Sequence, residues 1–253
     1  MKLPLAAAPT VLTLLCLAAM IVHGPIAQPA NYHAFADLGD FMGIPHAADV
    51  LSNIGFALTG LWGIRKLWPL RRHPLHHSGW PGYSVFLFGL IFTALGSGYY
   101  HLTPDNAHLL WDRLPIALAC AGLLTGVWAE TALPKSRAVM ATLVLALYAI
   151  ASVLWWYVTE LNGQGDLRPY LLLQILPLML IPLWQTIYKS NLHDRSWFGA
   201  ALLLYIFAKL AELNDGALYA MTDRLISGHT LKHLLATAAA TAIVYRLTQR
   251  TRH

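Results

Sequence analysis

The chain has 253 residues, of which 57% are hydrophobic and 11% charged, and its mean hydropathy is +0.52. That composition excludes a soluble domain with a solvated polar surface and places the chain among integral membrane proteins. The formal net charge of +5 fits basic loops facing an anionic leaflet, so no nucleic-acid footprint is read from it.

Runs of about 20 apolar residues, each long enough to cross a hydrocarbon layer of roughly 30 Å, recur along the chain. Eight membrane-spanning helices are expected, at residues 3–22, 47–68, 82–102, 109–128, 139–158, 169–187, 197–213 and 229–245. The first run reads as a retained helix rather than a signal peptide. It is longer than the usual signal core of about 7–15 residues, and no small-x-small cleavage site follows it closely.

Lysine and arginine placement gives the helices an orientation, because alternate loops carry the positive charge when helices cross in sequence. One side collects Lys2, Arg65, Lys66, Arg71, Arg72, Lys135, Arg137, Lys189, Arg195, Arg246, Arg250 and Arg252. The other has only Arg168 and Arg224, while Arg113, Lys209 and Lys232 fall at or inside helices. Both termini are therefore expected in the cytoplasm. Most of the nine tryptophans sit near span ends, as an interfacial belt. Cys16 and Cys120 lie mid-span, and no disulfide is expected.

Two polar clusters interrupt this pattern. Ser97, His101 and Asp112 stand in GSGYYHLTPDNAHLLWDRLP, and His229 and His233 in SGHTLKHLL. Ionisable side chains at the ends of hydrophobic helices are costly to place, so they mark function by default. Ser97 and His101 share one helix face near its outer end, Asp112 opens the next helix, and His229 and His233 share a face at i, i+4 in the last. All five are expected at one depth. Three histidines with an open fourth position make the usual zinc site of a hydrolase. His101, His229 and His233 are the expected ligands; Asp112 is the expected base, and Ser97 is expected to hold the water or steady the oxyanion. Pro115 cannot donate to the Trp111 carbonyl, so a kink is expected beside Asp112, and Gly96 and Gly98 are expected to admit a close helix neighbour.

The other polar residues have plainer expectations. His23, His33, His46, His73, His76, His77, His108 and His193 read as hydrogen-bonded or partly solvated interface side chains. Lys209, Glu212 and Asp215 read as an ion-paired set that either orients a ligand histidine or is structural. Ser52 and Asn53 read as interhelical hydrogen-bond formers.

The SxxxH, aspartate and HxxxH elements together resemble those of the alkaline ceramidases, within a superfamily of seven-helix hydrolases that includes the adiponectin-receptor relatives. DVLSN at positions 49–53 is similar to the first-helix element of that family, GSGYYH to its serine–histidine element and WDRLP to its aspartate element. FAD, GIP, VLSN, YYHLTPDN, WDRLP and SGHTLKHL resemble its bacterial ceramidase-like branch. The resemblance implies a seven-helix core at 47–253, with residues 1–46 forming an additional N-terminal transmembrane helix and outer loop. It also implies zinc at His101, His229 and His233, Ser97 and Asp112 beside the zinc-bound water, and amide hydrolysis of a membrane lipid, ceramide or another N-acyl lipid. Characterised relatives carry an acidic calcium-binding stretch before this core; ADLGDFMGIPHAAD offers Asp37, Asp40 and Asp49 but no glutamate, with His46 near that place, which leaves calcium doubtful.

Two other classes compete. A di-histidine haem carrier has no need of Ser97 or Asp112 at the metal. A zinc-containing receptor of the same fold keeps the metal, yet the chain has no sizeable soluble domain through which to signal.

Overall fold

The computed structural model describes residues 4–251. Lys2 and Arg252, counted in the charge distribution, and Leu3, which opens the first expected span, lie outside the described residues.

The chain is all-α apart from one short hairpin. The helices are α1 (Ala8–His23), α2 (Ala47–Ser52), α3 (Ile54–Leu67), α4 (Trp80–Leu102), α5 (Asn106–Thr131), α6 (Ala138–Leu161), α7 (Arg168–Ile187), α8 (Leu192–Leu213), α9 (Asp215–Met221) and α10 (Gly228–Gln249). Seven helical segments among the described residues are long and apolar enough to cross a membrane, α2 and α3 counting as one. They carry large exposed apolar side chains such as Leu14, Ile21, Phe92, Leu95, Val139, Leu147 and Phe207, a surface suited to lipid. This is an integral membrane protein of all-α class.

The eighth expected span is α10, whose 22 residues reach about 33 Å at 1.5 Å per residue. It falls short of the other seven in apolarity because alanine, threonine, two histidines and Lys232 occupy it. Twelve of its residues are buried within the protein, so it needs little apolar surface of its own.

The chain forms two compact units. One comprises Met1–Gln28, Arg71–Phe86 and Ala117–Arg195, the other Pro29–Leu70, Leu87–Ile116 and Ser196–His253. In the first, buried Asp166 accepts from the Arg168 guanidinium at 2.8 Å, from Trp155 Nε1 at 3.1 Å and from the Ile26 backbone N–H, while Arg168 donates to the Met20 carbonyl. A charge-assisted bond and an indole thus secure the exit of α1 to the start of α7. In the same unit the Trp128 and Trp184 rings stack 5.8 Å apart.

The second unit holds every expected site residue. Its N-terminal strap begins at Pro29 and includes a hairpin of β1 (Asp40–Phe41) and β2 (Ile44–Pro45), with Asp40 opposite Pro45 and Phe41 opposite Ile44. Met42 and Gly43 both have positive φ, the two-residue turn whose twist matches paired strands. Asp37 then organises the entry to α2, its carboxylate accepting from the backbone N–H groups of Gly39, Ala48 and Asp49.

One expected span, 47–68, is broken at Asn53. Ser52 Oγ and Asn53 Nδ2 both donate to the Asp49 carbonyl, at 3.0 and 2.8 Å. They compete with the helix ladder, and the Asn53 and Phe56 N–H groups fall back on carbonyls three residues earlier. Beyond the break α3 runs against α10, where Thr59 and Thr241 share a 2.8 Å hydroxyl hydrogen bond.

Candidate metal centre

Helix α10 is set in place at its first turn. Ser227 caps it by accepting from the Thr230 N–H at 2.9 Å. Asp49 Oδ1 accepts from the Ser227 and Thr230 hydroxyls, and Asp215 Oδ1 accepts from the His229 N–H at 2.8 Å. Both carboxylates therefore stand at a helix N-terminus, where the macrodipole favours them. Asp215 also accepts from the Ala36 N–H, which joins the strap to the same turn. Gly228 is required here, since a Cβ would strike the Ala211 carbonyl and the Asp215 backbone.

A second close approach positions Asp112. A Cβ on Gly96 would collide with the Trp111 carbonyl oxygen, the group that Pro115 leaves without a helical donor. Helix α5 stays continuous through Pro115 while this carbonyl lies against Gly96. Gly98 differs from the expectation: nothing approaches the position of its Cβ, because it is two residues on and points away from α5.

These contacts bring the three histidines together and Ser97 to Asp112. Ser97, His101, Asp112, His229 and His233 are all buried. The ligand nitrogens of His101, His229 and His233 lie within 4.8 Å of one another, and their ring centroids are 4.8, 5.1 and 4.8 Å apart. His101 Nε2 and His229 Nε2 are separated by 3.2 Å. Two nitrogens bound to one tetrahedral zinc at about 2.0–2.1 Å stand about 3.3–3.4 Å apart, so the spacing fits that metal.

Tautomers support the same fit. Ser52 Oγ donates its proton to the Asp49 carbonyl and so accepts from His233 Nδ1 at 2.8 Å. His233 is therefore protonated on Nδ1 and offers the Nε2 lone pair, the arrangement in which an outer hydroxyl orients a ligand imidazole. His229 Nε2 faces both His101 Nε2 and Lys232 Nζ, the latter at 2.7 Å. One lone pair cannot serve two donors, and a cation held between the imidazoles would take it, leaving the Lys232 N–H to another acceptor.

Asp112 is not part of the three-histidine group. One of its oxygens is partnered by the Ser97 hydroxyl, and Oδ1, fully buried, has no partner. The carboxylate is thus held on one side and open on the other.

Several neighbours were not legible in the sequence. Phe35 lies over the cluster, its ring 4.7 Å from His101 and 4.4 Å from His229. His33, expected to be an interface side chain, holds this strap down by bonding Tyr100 Oη at 2.8 Å and Asn106 Oδ1 at 2.9 Å. Tyr32 lies on the guanidinium of buried Arg113. The ion-paired set comprises Lys209, Glu212 and Lys232, with Glu212 bonded to both lysines; Asp215 caps α10 instead. Of the other acidic residues named above, Asp40 bonds the Gly43 N–H of its own turn.

The Ceramidase family model matches residues 44–252, from the β-hairpin to the end of α10. The chain belongs to the Ceramidase family. Membership makes it a hydrolase of the ceramide amide bond, and the match includes all five site residues. No curated protein matches the chain.

Proposed function

We propose that the protein is a zinc-dependent intramembrane amidohydrolase that cleaves ceramide or a similar N-acyl lipid to a fatty acid and a lipid amine. The observation that carries this reading is the three-histidine group, in the same unit as a buried Asp112 that is tied back by Ser97 and bare at Oδ1. Zinc held by His101, His229 and His233 would supply Lewis acidity, lowering the pKa of water and polarising the amide carbonyl.

The chain's own residues then divide the work. Asp112 Oδ1 takes a proton from the attacking water and returns it to the leaving nitrogen. Ser97, already bonded to Asp112, keeps that carboxylate aimed, and Ser52 fixes the His233 tautomer. Phe35 covers the histidines and excludes bulk water, which strengthens every charge interaction beneath it. The lipid enters from the bilayer, with its acyl chain in hydrocarbon. Following the distribution of basic residues, both termini lie in the cytoplasm and the site faces the outer side.

The test is lipid extraction after incubating pure protein with a panel of N-acyl lipids of C6 and C16 chains, with and without chelator. Chelator-sensitive release of fatty acid is expected. The C16 series should have the higher kcat/KM, since each buried methylene contributes about 0.8 kcal/mol. Equal kcat/KM for both lengths would remove the intramembrane substrate, and turnover unaffected by chelator would remove the metal.

A further inference from the structure

Lys232 stands against the histidine cluster and has no part in the hydrolysis as described. It lies three residues after His229, on the same helix face. Its Nζ is 2.7 Å from His229 Nε2 and 3.1 Å from Glu212 Oε1. An ammonium has three donors and no acceptor; these two contacts occupy two donors, and the third has no partner among the described residues. Glu212 is itself shared with Lys209, so one carboxylate serves two cations and the group is one negative charge short. The charge of Lys232 also acts on Asp112, so the ammonium that touches the candidate ligand His229 also influences the candidate base.

We propose that Lys232 is a further catalytic residue: its ammonium binds the oxygen of the scissile carbonyl, stabilises the charge that oxygen gains, and then binds the product carboxylate. The proposal rests on the amidohydrolase reading above. The lone pair that Lys232 meets on His229 Nε2 is the one a metal ligand donates. In the loaded site that N–H therefore needs another acceptor, as the third already does. Amide hydrolysis generates such an acceptor. As the water oxygen bonds to the carbonyl carbon, its proton passes to Asp112 and the carbonyl π pair moves onto oxygen. When that pair returns, the C–N bond breaks and the nitrogen takes the proton from Asp112, leaving a carboxylic acid and an amine for one water consumed; the acid then gives its proton to the amine, and the resulting carboxylate is what Lys232 binds. Lys232 keeps its proton throughout. Ser97 was expected either to hold the water or to steady the oxyanion; its hydroxyl bonds Asp112, and the ammonium takes the oxyanion part while Glu212 positions it.

The experiment measures zinc content, turnover, and equilibrium binding of palmitate and of neutral hexadecanol in one detergent. Lys232→Met, Lys232→Arg and the charge-neutral pair Lys232→Met with Glu212→Gln are compared with wild type. Zinc and hexadecanol binding should persist in all three. Palmitate affinity should fall at least about tenfold in both methionine variants and hold within a few-fold in the arginine variant, while kcat falls by about 10²–10³ with KM little changed. Palmitate binding at wild-type strength in the neutral pair overturns the proposal, leaving the hydrolase reading intact wherever the wild type turns over. Loss of zinc in the neutral pair also overturns it, since Lys232 would then serve the metal site structurally. A wild type that cleaves no N-acyl lipid but shows the palmitate contrast keeps the carboxylate site and removes the reading beneath it.

Discussion

Each candidate site side chain has contacts that make its proposed task testable. His101, His229 and His233 present nitrogens at metal-ligand spacing, so the wild type should copurify with zinc and alanine at any of the three should abolish that. Elemental analysis reads this directly; full occupancy in all three variants would dismiss the site. Ser52 acts through His233 Nδ1, and losing such an outer partner typically costs about 10–100-fold in metal affinity. Ser52→Ala should show that weakening in a competition with a chromophoric chelator. Asp112 is not part of the three-histidine group, and its Oδ1 has no partner among the described residues. Asp112→Asn should therefore keep zinc and lose about 10²–10⁴-fold in kcat. Normal turnover in that variant would take the base role from Asp112.

Between elements, a few backbone approaches set where those side chains meet. Gly96 lets the Trp111 carbonyl lie against α4, and this brings Ser97 to Asp112. Gly96→Val should force the two helices apart, destabilising by about 1–3 kcal/mol as overpacking does, and should lower Tm and kcat together. Gly98→Ala meets open space and should leave both near wild type, so equal losses in the pair would show that this contact does not position Asp112. The strap works at the same scale. His33 on Tyr100 and Asn106, and Asp215 on Ala36, hold Phe35 over the histidines.

Across the whole molecule, charge and apolarity set orientation. Twelve basic residues on one side against two on the other predict that the loop after α3 is cytoplasmic and that the turns before α5 and α10 face the opposite side. Leu75 and Leu225 are exposed in two of these loops and Ala107 in the first turn of α5. Single cysteines at those three positions, in a background lacking Cys16 and Cys120, should label with an impermeant maleimide from opposite sides: position 75 from within, positions 107 and 225 from without. Labelling of all three from one side would dissolve both the eight-span topology and the outward-facing site.

Sequence alone determined what depends on local spacing and on the bilayer. Apolar runs of spanning length, the SxxxH and HxxxH faces and the carboxylate of Asp112 are visible because a helix repeats its face every three to four residues and because charge in hydrocarbon is costly. Even the family was legible in those elements. Tertiary structure decided what depends on chains meeting across large separations. Ser52 reaches His233 from 181 residues away, and only the break at Asn53 and the packing of α3 on α10 turn it there. Phe35 and His33 lie in a loop with no periodicity to report a face, so their place over the site comes from anchors on other elements. Lys232 read as one charge inside a helix; its approach to His229 follows from the three-residue spacing within α10, but that it shares the Glu212 carboxylate with Lys209 depends on Glu212 of α8 reaching α10, which no spacing within either helix encodes.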